Sequence, residues 1–158
     1  MTDNYIGIMI ESLRRKKDVL TDILKLSDEQ SLLLDDPNLE PDTFEKNVNR
    51  KAALIDKLEQ LDTGFESLYD KVKEELESNR DIHKEQIRQM QELIRALTEL
   101  NMQIQATEAR NKEKATAKFA YIRQQAKEIR SSQKIVKEYY NNMMHKAYNE
   151  PHFLDNKK

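Results

Sequence analysis

Apolar side chains recur every three or four residues along most of the chain, which is the period of an α-helix buried on one face. The first such stretch predicts a helix from about residue 4 to 34, and the second predicts one from about 42 to 77. A third stretch starts at residue 82 and keeps its phase to about 148, although its stripe fades to polar and small residues between Gln105 and Lys118. We therefore expect a third helix far longer than the other two.

Two boundaries separate these helices. Pro37 and Pro41 lie between the first two, and proline cannot continue a helix because it lacks the backbone donor. Asp42 then offers an N-cap, with Glu45 at the capping-box position. At residues 78–81 we place a tight turn, although no proline or glycine enforces it. The second helix contains one glycine, Gly64, and we expect it to be spanned or to mark a local bend.

These lengths predict an all-α chain: an elongated, coiled-coil-like antiparallel hairpin or three-helix bundle with a very long third helix. We expect one domain over residues 1–158, ending in a flexible tail from residue 149. The second helix has only some 35 residues, so it is expected to cover the third only to about Lys112. The part from 113 to 148 must then fold back, pair with a second copy, or receive a partner.

The end of the third helix carries an apolar stripe that has no obvious cover within the chain. We call this stripe the C-terminal seam. Its Met and Tyr side chains are typical of adaptable recognition surfaces, but a seam buried in a homodimeric coiled coil has the same pattern, and we weigh the two about evenly. The candidate partner-binding residues are Phe119, Ile122, Ala126, Ile129, Val136, Tyr139, Tyr140, Met143, Met144 and Tyr148.

Composition supports a helical chain. Two glycines and three prolines in 158 residues leave little with which to build the turns of a sheet. Hydrophobic residues make up 37% and charged residues 35%, which fits long, thin helices better than a thick globular core. No cysteine is present, and neither a signal peptide nor a membrane span is evident. We expect a cytoplasmic protein.

Charge is unevenly distributed along the chain. The net charge is -2, but residues 28–81 carry 16 acidic against 7 basic side chains, whereas residues 109–138 carry 9 basic against 3 acidic ones. The simplest interpretation is that the basic segment lies against an acidic surface of this chain, of a second copy or of a partner. Nucleic acid is not an expected partner, because the acidic half would repel phosphate.

No residues form a recognisable catalytic or metal site. His83, His145 and His152 are isolated from one another, and the Glu-x-x-His motif of di-iron bundles is missing. The sequence also lacks a nucleophile elbow, a phosphate-binding glycine loop and a cysteine nucleophile. We expect neither a metal nor another cofactor, and we expect no enzyme activity.

The pattern resembles the FlgN-type chaperones of flagellar type III export. The resemblance rests on the leucine-rich first helix, on Lys-Ala-Ala-Leu-Ile-Asp-Lys-Leu at Lys51–Leu58, on the stretch Leu61–Tyr69 with its Asp-x-Gly-Phe, and on the tail Tyr148–Lys158. It spans most of the chain, and the apolar and polar positions that carry it in the first helix are Leu13, Leu20, Ile23, Leu24, Leu26 and Gln30.

This resemblance implies a cytoplasmic chaperone that holds hook-associated proteins, the subunits at the junction of hook and filament, before export. Such clients have terminal segments that form amphipathic helices, and the chaperone covers them so that they neither aggregate nor assemble early. The competing hypothesis is a homodimeric coiled-coil scaffold or a membrane-surface binder. The Lys and Arg residues of the third helix count against the membrane binder, because they fall around most of the helix.

Overall fold

The computed structural model describes residues 2–128 and 141–143, and within these ranges it contains helices and no strand. The helices are α1 (Thr2–Asp35), α2 (Pro41–Ser78) and α3 (Lys84–Glu128). They form a bundle, and α3 is the longest, with 45 residues in its described part. The prediction of an all-α bundle is confirmed.

The chain divides into two compact units, and all three helices contribute to both. Unit 1 consists of Met1–Asp22 and Leu54–Met102, and unit 2 consists of Ile23–Ala53 and Gln103–Lys158. Unit 1 thus holds the start of α1, the greater part of α2 and the start of α3. Unit 2 holds the connection between α1 and α2 together with the later part of α3.

The core of unit 1 is apolar. Its buried side chains come from all three helices. At the rim, Lys16 pairs with Asp62 at 2.6 Å. The ammonium group of Lys71 lies 5.4 Å from the centre of the Tyr5 ring. The buried apolar residues of this unit are Ile6, Met9, Ile10, Leu13, Val19, Leu20, Ile55, Leu58, Val72, Leu76, Met90 and Leu97.

The connection between α1 and α2 is a short turn at the predicted position. The Asp36 carboxylate accepts a hydrogen bond from the Asn38 amide at 2.8 Å, which is the geometry of an Asx turn. The helix start differs from the prediction, because Pro41 is the first helical residue and the Glu40 carbonyl accepts the amide of Phe44. Proline favours this position because its fixed φ suits a helix and its missing donor is not needed there.

The turn between α2 and α3 is closed by side chains. Glu75 accepts a hydrogen bond from the Asn79 side chain at 3.0 Å and lies 3.3 Å from the ring of His83. His83 is buried, whereas Ile82, with which the third stripe was predicted to begin, is 72% exposed. The third helix therefore begins at Lys84, two residues later than the apolar pattern suggested.

The first turn of α3 carries an exposed charge pair. Hydrogen bonds from Arg88 lower the pKa of Glu85, and the same contact with Glu85 raises the pKa of Arg88. The Arg88 Nε to Glu85 Oε2 distance is 3.1 Å. Because both groups are in water, the pair contributes little to stability.

Gly64 lies in the middle of α2, and the helix runs through it. A side chain added at this position would meet no atom within 4 Å. Of the two outcomes expected from the sequence, the structure thus shows the glycine spanned by the helix.

The first two helices cover more of α3 than predicted. Lys51 of α2 lies opposite Glu108 of α3. In an antiparallel pair, moving seven residues back from Lys51 reaches Phe44, and moving seven residues forward from Glu108 reaches Ala115. Both are buried in one cluster together with Phe119. The predicted limit near Lys112 is therefore wrong, because the 38 residues of α2, paired antiparallel with α3 from the turn between them, reach past Ala115.

Candidate functional site

The part of unit 2 at the α1–α2 turn contains an apolar cluster, which we call the corner cluster. Leu34 ends the stripe of α1, Phe44 and Val48 begin that of α2, and Ala115 and Phe119 lie on α3. Leu39 of the turn packs against them. Phe44 and Phe119 are each only 1% exposed, and burying an aromatic side chain of this size contributes about 1.5–3 kcal/mol. Phe119, the first residue of the C-terminal seam, is thus a core residue.

Met143 belongs to the same corner cluster and is 3% exposed. It lies in the helical residues Asn141–Met143. One straight helix from Phe119 to Met143 would place these residues about 36 Å apart, at 1.5 Å per residue. Its presence in the cluster is therefore incompatible with a straight third helix that projects away from the bundle. Three alternatives were expected for residues 113–148. The position of Met143 agrees with the first of them, in which the chain folds back.

The other candidate binding residues fall into two groups. Ile122 is half-buried and Ala126 is buried, both on α3 beyond the cluster. The remaining candidates lie outside the residues that the structure describes, and they are Ile129, Val136, Tyr139, Tyr140, Met144 and Tyr148. The structure therefore brings Phe119 and Met143 together and leaves the role of the seam in partner binding as a prediction.

Next to the corner cluster, the interior of unit 2 changes from apolar to polar. Six buried polar side chains from the three helices form one hydrogen-bonded group, which we call the polar layer. It lies one to two turns from the cluster along α1 and α3, whereas on α2 Asn47 lies between Phe44 and Val48 of the cluster. The layer consists of Ser27 and Gln30 of α1, Asn47 and Lys51 of α2, and Glu108 and Asn111 of α3.

A buried ion pair is at the centre of this layer. The Lys51 ammonium donates to the Glu108 carboxylate and, at 3.2 Å, to the Gln30 side-chain oxygen. Glu108 also accepts the Ser27 hydroxyl at 2.6 Å. Lys51 is fully buried and Glu108 nearly so. Removing two charges from water is unfavourable, so such a pair adds little net stability although losing one partner is costly.

The amide side chains complete the layer. Asn111 donates to the Ser27 carbonyl at 2.8 Å and to Gln30 at 3.2 Å, and Gln30 donates to Asn47 at 3.1 Å. Asn47 in turn donates to the Leu26 carbonyl at 2.9 Å. The Asn111 side-chain oxygen is buried without a hydrogen-bond partner among the described residues. These bonds fix the register of the three helices, because a shift of one turn would leave several polar groups unpaired.

The basic segment of α3 meets the acidic end of α1, as the charge distribution suggested. Lys114 pairs with Asp35 at 2.9 Å and donates to Ser31 at 2.7 Å. Lys118 donates to the Asp36 carbonyl at 2.7 Å. These groups are partly in water, so they orient the surface more than they stabilise it.

Two further features of the described residues bear on what the site can do. Among the described residues, no group of three or more His, Cys, Asp or Glu side chains is arranged to hold a metal ion. His83, the histidine within the described part, contacts Glu75 in the turn instead. None of the helices described is both long and apolar enough to cross a membrane.

The pattern of the chain was also compared with known proteins. The family model described as FlgN protein matches residues 1–145, which is nearly the whole chain. The chain belongs to the FlgN family. Membership supports a general role as a chaperone of flagellar export, a non-enzymatic class. Comparison with curated proteins found no match, and neither did comparison with solved structures.

Proposed function

We propose that this protein is a cytoplasmic chaperone of flagellar type III export that binds hook-associated proteins, the subunits of the hook–filament junction. It covers an amphipathic terminal helix of such a client and so prevents early aggregation or assembly. The observation that carries the proposal is the FlgN match over residues 1–145. The protein acts by binding alone, without a cofactor.

The binding residues we propose are those of the C-terminal seam. Ile129, Val136, Tyr140 and Met143 recur at spacings of three and four in the sequence, which places them on one face of a helix. Aliphatic, aromatic and Met side chains of this kind dominate the grooves that bind amphipathic helices. Phe119 and Met143 support this location, because both belong to the corner cluster, an apolar surface of the kind that packs against helices.

A homodimer that covers the seam remains the alternative partner arrangement. Met143 and Phe119 are already covered within one chain, which reduces the apolar surface that a second copy would bury. Sedimentation at tens of micromolar distinguishes the two arrangements, and we expect the client to compete with any self-association.

The test replaces Ile129 and Val136 together by Asp. Each uncompensated charge at a buried contact should cost several kcal/mol, so binding to a purified hook–filament junction protein should fall by orders of magnitude. Titration calorimetry measures the affinity, and circular dichroism checks that helicity is retained.

A matched control places two Asp residues at exposed apolar positions of unit 1, Ile82 and Met102, which are 72% and 65% exposed. This variant should bind like the original protein. Unchanged affinity in the Ile129→Asp/Val136→Asp variant would instead locate client binding on the helical bundle and leave the seam with a structural role.

A further inference from the structure

We infer that the polar layer makes unit 2 open, and that a client helix then packs onto the corner cluster in the place now taken by Met143. This inference rests on the proposed function and assigns the six polar side chains a part in it, and Met143, once it leaves the cluster, becomes available to contact the client with the rest of the C-terminal seam. They are positioning residues, since they act by controlling access to the cluster.

The two candidate contacts that the structure describes in the cluster are buried. Phe119 is 1% exposed and Met143 is 3% exposed, so neither can contact a client in the structure as it stands. Phe119 is enclosed by Leu34, Phe44 and Val48 of the first two helices. Met143 is a member of the same cluster, so a client reaches both Phe119 and its neighbours on α1 and α2 only when Met143 leaves and α3 separates from these helices within unit 2.

The polar layer lowers the free-energy cost of opening unit 2. Glu108 and Asn111 precede Ala115 on α3 by about two turns and one turn. When apolar layers separate, they expose hydrocarbon to water, whereas the separated halves of a polar layer regain hydration of Lys51, Glu108 and the amides. Opening at this level therefore costs less than opening through an apolar core of the kind found in unit 1.

Met143 now fills the position in the corner cluster that the client helix would take. Asn141–Met143 are helical residues of the chain's own C-terminal part, and they already contribute an apolar side chain to the cluster. Met is unbranched and packs adaptably, so another helix with an apolar face can replace it with little penalty. The site thus fits one kind of occupant, an amphipathic helix.

The chain contains no cysteine, so helices can be joined at chosen positions. Ser31→Cys with Lys114→Cys places two thiols where the Lys114 ammonium and Ser31 hydroxyl are 2.7 Å apart, at the edge of unit 2. A short bismaleimide then ties α1 to α3. The matched control, Lys16→Cys with Asp62→Cys, ties α1 to α2 in unit 1, where the native side chains are 2.6 Å apart.

Each full-length protein is titrated with a purified hook–filament junction protein, before and after linking. We expect the link in unit 2 to abolish binding and the link in unit 1 to leave it unchanged. Equal binding by both linked proteins overturns the inference, because the client would then bind without separation of α1 and α3. Failure of the unlinked, unsubstituted chain to bind overturns the proposed function itself.

A second variant tests the polar layer without a link. Lys51→Met with Glu108→Leu removes the buried ion pair and should slow amide hydrogen exchange in residues 103–119. If the open form is made tenfold rarer, apparent affinity for the junction protein should fall about tenfold, since affinity scales with the competent fraction. If the amide exchange rate and the apparent affinity do not fall by the same factor, the polar layer does not control client binding and the inference fails.

Discussion

The two units of this bundle are built from the same three helices, but their interiors differ. In the described residues, every buried polar side chain except His83 lies in unit 2. Unit 1 is filled by aliphatic side chains and Met, which pack densely and gain stability in proportion to buried area. Unit 2 combines the corner cluster with the polar layer. The polar layer fixes the register of the helices but contributes less to stability than an apolar core does. We therefore expect unit 1 to be the stable scaffold and unit 2 to be the part that opens.

The largest expected effect comes from removing the apolar part of unit 2. Phe119→Ala leaves a cavity between Leu34, Phe44 and Val48, and large-to-small changes of this kind cost about 3–5 kcal/mol. Urea unfolding measures the loss. Tyr121→Ala, two residues further along α3 at a position that is 65% exposed, should change stability by less than about 0.5 kcal/mol. Equal effects at the two positions would mean that Phe119 is not a core residue.

An effect of similar size is expected when one charge of the polar layer is removed. Lys51→Met leaves the Glu108 carboxylate buried without its ammonium partner, which should lower the free energy of unfolding by about 3–5 kcal/mol. Lys57→Met, at an exposed position of the same helix, is the control and should be nearly neutral. A small loss at Lys51 would show that water reaches Glu108, and unit 2 would then be more open than described.

The helices could be predicted from the sequence because their signals are local. The apolar period, Pro37 and Pro41 together define the helical bundle and its first turn. The corner cluster was harder to predict, since covering Phe119 depends on the register of α2 against α3, which is a non-local property. Met143 joins the cluster from a later part of the chain, and the stripe itself carries no signal for that contact.

The polar layer had a signal in the sequence of each helix, as an interruption of its apolar stripe. The fading stripe between Gln105 and Lys118 contains Glu108 and Asn111 at the spacing of core positions, between Ile104 and Ala115. The apolar stripes of the other helices are interrupted in the same way. In α1, Ser27 and Gln30 lie between Ile23 and Leu34, and in α2, Lys51 lies between Val48 and Ile55. Read singly, each is an interruption, and only the pairing of the helices shows that the three interruptions meet.

A smaller effect, of opposite sign, is expected when both charges of the layer are removed. Lys51→Met with Glu108→Leu replaces an ion pair that has a high desolvation cost by apolar side chains, and such replacements are neutral or stabilise by about 1–4 kcal/mol. Comparison with the two single variants gives the coupling energy of the pair. A double variant less stable than Lys51→Met would show that Ser27 and Gln30 need the charges as hydrogen-bond partners, and the contrast between the units would weaken.

The smallest predicted effect concerns unit 1. Gly64 lies within α2 at a position where an added Cβ meets nothing within 4 Å, so Gly64→Ala should gain helix propensity and reduce the entropy of the unfolded chain without strain. We expect a gain of about 0.5–1 kcal/mol in the free energy of unfolding, measured by urea denaturation. Amide exchange should slow in residues 54–76 and stay unchanged in residues 103–119, because the substitution lies in unit 1 and the opening in unit 2 does not require unit 1 to unfold. Slower exchange by the same factor in both ranges would mean that the two units open together, and the polar layer would then not mark a separate opening.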